Sequence, residues 1–134
     1  MARDTLSDMV THYMATALWS STDDGDSFAG NITTNHDISD IAPETRAAMK
    51  ADCAAFLESN FDAIFCDSAP VSRDSNGGSA AMAGHDFWLT RCGHGAGFWD
   101  GDWPEPQAAQ LTAAAERFGN VDLYVGDDGL IYGM

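Results

Sequence analysis

His85, Asp86, Cys92, His94 and Asp100 lie within sixteen residues of one another, and these side-chain types ligate zinc or redox metals. Their spacing matches no strong metal signature. Adjacent His85 and Asp86 would point to opposite faces of a strand. Cys92 and His94 could pair as nucleophile and base, but that chemistry needs a partner that holds the thiolate, and the sequence supplies none. Gly93-His94-Gly95-Ala96-Gly97 lacks the Lys-Ser/Thr pair of a phosphate-cradling loop. No Gly-x-Ser-x-Gly elbow or His-Glu-x-x-His run occurs. A metal-dependent or nucleotide-processing enzyme built on the 85–100 stretch is thus the alternative reading, and no metal or cofactor is assigned.

Carboxylates offer a second kind of chemistry. The 134-residue chain has 21 acids against 6 bases, a formal charge of -15. Such a surface repels nucleic acid and anionic membranes and attracts basic proteins, of which nucleic-acid-binding proteins are the largest class. The candidate binding acids are Asp23, Asp24, Asp26, Asp37, Asp40, Glu44, Asp52 and Glu58. Asp23, Asp24 and Asp26 resemble the first half of a calcium loop, but the glycine is misplaced and the closing Glu is missing. Trp88, Trp99 and Trp103 add aromatic anchors, since Trp is favoured at interfaces. Acidity also serves solubility, or reflects genome composition or a salty cytoplasm, with no further role.

The elements that carry these residues follow from periodicity. Leu6, Met9, Val10, Tyr13, Met14 and Ala17 form one helical stripe over about 4–19. A long polar segment, 20–42, follows. Pro43 at a first turn, Glu44 at the positive end of the dipole and Met49, Cys53, Phe56 and Leu57 on one side predict a helix over about 43–60. One more apolar turn follows at Phe61–Phe65. His85–Thr90 and Phe98–Trp99 are rich in β-formers and flank a glycine-rich connector, which predicts a hairpin over about 85–100. Leu111, Ala114, Ala115 and Phe118 predict a helix over about 106–118, ended by Gly119. Val121–Val125, Gly126-Asp127-Asp128-Gly129 and Leu130–Tyr132 predict a second hairpin over about 121–133, with Asp128-Gly129 suiting a type I′ turn. The fold class is therefore α+β, a single domain over 1–134: an antiparallel sheet of two hairpins packed on three helices. Three cysteines with no CxxC pair read as free thiols, and Cys53 as a core residue. No run approaches the roughly 20 apolar residues of a membrane span. The start lacks a signal-peptide pattern, so a cytoplasmic protein is expected.

The stretch Gly84-His85-Asp86-Phe87-Trp88-Leu89-Thr90-Arg91, continued by Gly93-His94-Gly95-Ala96-Gly97-Phe98-Trp99-Asp100, resembles a widespread family of small acidic proteins of tailed phages, prophages and mobile elements. The resemblance extends to Ala17–Asp24, Asp37–Glu44 and Val121–Gly129. It brings no catalytic residue or cofactor. Where this chain has Cys92 the family pattern has Asn, which implies no role for a thiol there. Trp103-Pro104-Glu105-Pro106 also departs from the family's simpler Gly-rich turn. Joined to the charge, the resemblance implies a non-enzymatic protein of the bacterial host cytoplasm. It would bind and inhibit a host nucleic-acid-binding defence protein, a CRISPR effector or a restriction enzyme, by imitating DNA phosphates. The Trp-bearing motif itself has a plain structural reading as a packed hairpin.

Overall fold

The computed structural model describes residues 5–20, 37–66, 78–92, 97–99 and 103–133. Among the described residues, five α-helices and one small antiparallel sheet make an α+β fold: α1 Thr5–Ser20, α2 Pro43–Ser59, α3 Phe61–Ile64, α4 Gly78–Arg91, α5 Gln107–Glu116, β1 Leu123–Val125 and β2 Ile131–Gly133. The predicted stripe of α1 buries Met9, Val10, Tyr13, Met14 and Ala17. Before α2, a 3-10 turn at Ile38–Asp40 is closed by a capping box: Asp37 accepts from the Ser39 backbone, and Asp40 accepts from the Asp37 backbone. Pro43 opens α2, where its missing N–H costs nothing. Asn60 ends the helix, its backbone and its side-chain amide both donating to the Phe56 carbonyl. The single turn of α3 follows at once.

The first predicted hairpin is not formed. Gly78–Arg91 is a helix, and Phe98 and Trp99 lie in a turn rather than a returning strand. The reason is burial. Every described side chain from Asp86 to Arg91 is buried, so α4 has no polar stripe to reveal a helical period. Its aromatic and β-branched content then imitates a strand. Tertiary packing overrides that local preference.

Contact between α1 and α4 dominates the fold. Gly84 makes it possible: a methyl group there would overlap the Met9 carbonyl oxygen and come within 3.1 Å of the Met9 carbonyl carbon and the Tyr13 nitrogen. Around this crossing the aromatic core assembles. Phe56 stacks on Phe87 at 4.2 Å, and Tyr13 meets Trp88 edge-on at 5.4 Å. Leu111, Ala114 and Ala115 turn the inner face of α5 into the same core.

The second predicted hairpin is present, with Leu123 opposite Gly133, Tyr124 opposite Tyr132 and Val125 opposite Ile131. Its turn differs from the type I′ expectation. Gly129 N–H donates to the Gly126 carbonyl at 3.0 Å, which makes Asp127 and Asp128 the central pair and leaves Gly129 at φ +82°. Ile41 bridges Ile131 in parallel, and Ala42 N–H donates to the Ile131 carbonyl at 2.9 Å. The start of α2 is thereby tied to β2. Among the described residues, no helix is long and apolar enough to cross a membrane.

Candidate functional site

Much of the described part of the motif is built into the core, including Asp86–Arg91 and Phe98. Asp86 is 2% exposed and fully engaged. Trp103 Nε1 donates to its Oδ2 at 2.6 Å, and His85 Nδ1 donates to its Oδ1 at 2.9 Å. A helix, unlike a strand, lets these neighbours meet. The His85 ring also lies against Trp19, 5.9 Å between centroids. His94 and Asp100 of the five-residue metal constellation fall outside the described residues. No group of three or more His, Cys, Asp or Glu among the described residues could hold a metal ion. Cys92 is half-buried, and its Sγ lies 3.5 Å from the Val121 carbonyl. Burial pushes its thiol up, only partly offset by a backbone hydrogen bond from Val121 and by Arg91. This is not a poised thiolate.

Arg91 is the centre of the motif's packing. Its side chain is 4% exposed. Nε donates to the Gly119 carbonyl at 2.7 Å and Nη2 to the Phe118 carbonyl at 2.9 Å. Nη1 donates to the Tyr13 hydroxyl at 3.0 Å and to Asp52 Oδ2 at 2.8 Å. Phe87 and Phe118 flank the guanidinium, each centroid 5.5 Å away. One side chain thus joins α1, α2, α4 and the exit of α5. Thr90 accepts from the Phe98 N–H at 3.1 Å and holds the turn that follows.

These contacts revise the aromatic anchors. Trp88 is 1% exposed, and its Nε1 donates to Ser20 Oγ at 2.8 Å. Trp103 is buried on Asp86. Neither is available to a partner, because the core claims both. Trp99 stands 52% exposed, as an anchor requires. Exposed Trp19, beside His85, was not foreseen, since the helical stripe that identifies α1 stops at Ala17.

The candidate acids divide in three. Asp23, Asp24 and Asp26 lie outside the described residues. Asp37 and Asp40 serve the 3-10 turn, and Asp52 serves Arg91; their roles are local structure first. Glu44 and Glu58 are exposed on α2. Glu44 and Asp52, two turns apart, line one cleft of about 380 Å³ with Tyr13, Met49, Val121 and Tyr132. Glu58 does not line it. Tyr132 is an addition to the predicted set. Its hydroxyl donates to Asp128 Oδ2 at 2.6 Å, and that bond, with lesser desolvation and the nearby Glu44 charge, pushes the phenol up to about 12. The same bond, with one from the Leu130 N–H, holds the Asp128 carboxyl below its ordinary value. A Tyr four residues after an Asp in a tight turn is the sequence signal for this pair.

Two of the four described cations are spent on carbonyls. Arg46 Nε donates to Ile41 and Nη2 to Ile38, while Arg91 serves Phe118 and Gly119. Lys50 and Arg117 remain exposed. The described ion pairs engage Asp52 and Asp86. Glu44, Glu58, Asp62, Glu105, Glu116 and Asp127 all face solvent. No protein-family model, curated protein or solved structure matches this chain.

Proposed function

We propose that this protein is a non-enzymatic acidic module that docks on the phosphate-binding surface of a nucleic-acid-binding protein in a bacterial cytoplasm. Where the phage-family resemblance holds, the target is a defence effector, a CRISPR nuclease complex or a restriction enzyme, inhibited by charge mimicry. One observation carries the reading: among the described residues, the fold turns Arg46 and Arg91 inward onto backbone carbonyls and leaves most carboxylates exposed. The surface formed by the described residues is therefore more one-signed than their composition. Long-range attraction to a basic groove then steers association and weakens with salt.

The test is capture of partners from the bacterial host's lysate, eluted first with a short DNA duplex and then with salt. A nucleic-acid-binding protein displaced by the duplex supports mimicry. A complex that resists both DNA and high salt sinks it.

A second reading rests on the buried Asp86 carboxylate that orients His85, an arrangement suited to a general base. A metal-dependent or nucleotide-processing activity would be lost in His85→Ala with the fold intact. Elemental analysis and a nucleotide hydrolysis screen that are both blank would leave Asp86 as the anchor of Trp103.

A further inference from the structure

A groove of about 460 Å³ runs along the outer side of α5, lined by Glu105 and Glu116 and, among the described residues, by none of the acids singled out by sequence. Its floor is shallow because Ala109, Thr112 and Ala113 are small. Trp99 and Trp103 wall one end, but only Trp99 offers its indole to solvent. Glu105 and Glu116 line the groove, one just before α5 and one in its last turn. No cation lines it. Glu116 also sits in the last turn of α5, where the helix dipole is already negative. A carboxylate there deepens the local potential instead of balancing it. Glu105 Oε1 accepts from the Ala109 N–H at 2.9 Å, which fixes the other carboxylate at the start of the helix.

We infer that this groove is the docking site for an arginine-bearing segment of the partner protein, a proposal that rests on the acidic docking function above. A guanidinium stacks on the Trp99 indole and is drawn by the carboxylates, while the chain beside it lies along the small-residue floor. Charge complementarity selects this occupant. A second copy of the chain would bring another net charge of -15 against two glutamates. Lysine supplies the charge without the planar face that indole stacking favours. The arrangement also gives Trp99 a role that Asp86–Arg91 and Phe98, absorbed in the core, do not supply.

The experiment titrates the full chain with hexa-arginine, hexa-lysine and hexa-citrulline peptides at low salt, read by tryptophan emission and calorimetry. Hexa-arginine binds most tightly and hexa-citrulline does not bind. Trp99→Ala weakens hexa-arginine roughly five- to thirty-fold, the range of an exposed to half-desolvated cation–π contact. The double variant Glu105→Gln, Glu116→Gln weakens it more than the charge-matched Glu44→Gln, Glu58→Gln. All these sites are exposed, and unchanged thermal melting confirms that the variants fold. Equal loss in both double variants, with Trp99→Ala binding like the parent, overturns the groove while leaving diffuse acidic docking intact. Concentration-dependent dimerisation abolished by Trp99→Ala overturns the basic occupant in favour of a second copy. Failure of the parent chain to bind hexa-arginine overturns the groove, whereas the lysate capture judges the docking function by itself.

Discussion

Replacing Arg91 tests whether the motif is scaffold or site. Arg91→Ala strands the Tyr13 hydroxyl and the Phe118 and Gly119 carbonyls, which now receive its donors. An orphaned buried polar group costs about 1–3 kcal/mol. Water reaches them once the side chain is gone, so the lower end applies to each of the three. Asp52, 37% exposed at its side chain, rehydrates and adds little. Loss of the two flanking ring contacts adds about 1 kcal/mol. The sum is about 4 kcal/mol, a large part of the roughly 5–15 kcal/mol that stabilises a domain. Urea denaturation followed by helical circular dichroism reads it directly. With a slope of about 2 kcal/mol per molar urea, the midpoint falls by about 2 M. Arg91→Lys retains charge but not the forked donors, and its midpoint falls by about half as much. Asp52→Asn keeps an acceptor oxygen and costs less than Arg91→Ala. A midpoint that barely moves in Arg91→Ala, with partner capture abolished, would refute the scaffold reading and make Arg91 part of the interface.

Two further perturbations probe the fold from other sides. Gly84→Ala forces α1 away from α4 against backbone atoms of Met9 and Tyr13. Overpacking of about 3 kcal/mol, offset by up to about 1 kcal/mol of helix propensity, lowers the melting temperature by roughly 5–10 °C; an unchanged melt would disprove the tight crossing. Tyr132 yields a pH signature, because folding raises its phenol from the ordinary 10 to about 12, chiefly through Asp128. The bond's stabilisation is complete below pH 10 and is lost as the pH climbs through about 12. An ultraviolet absorbance titration should show a step near 12 that Tyr132→Phe removes, and an ordinary tyrosine profile would exclude the Tyr132–Asp128 bond.

Legibility in this chain follows one-sidedness. The helices predicted over about 4–19, 43–60 and 106–118 stand at Thr5–Ser20, Pro43–Ser59 and Gln107–Glu116 because each has one buried and one wet face. The hairpin at 121–133 was legible from its Asp-Asp-Gly turn between alternating apolar strands. α4 was not, because burial on all sides erases the polar half of the pattern. Phe87-Trp88-Leu89-Thr90 then looks the same in a core helix as in a buried strand. Gly84 sharpened the error. Glycine weakens a helix by about 1 kcal/mol in isolation, yet here it is what lets two helices touch.

The acids teach the complementary point about sites. Charge is additive along a chain, but availability is not. Asp52 looked like one more member of the acidic row on α2, but it meets an arginine 39 positions later. Asp86 sits beside His85 in the sequence, yet its decisive partner is the Trp103 indole. Conversely, Glu105 and Glu116 carried no special signal, and folding sets them on one groove with an exposed tryptophan. The few cations matter most in this accounting. Each arginine drawn inward to cap carbonyls removes a positive charge from the surface, and of the described carboxylates only Asp52 is drawn along, by Arg91. A chain with so few bases can thus turn an acidic composition into acidic surfaces through the same hydrogen bonds that hold its helices together.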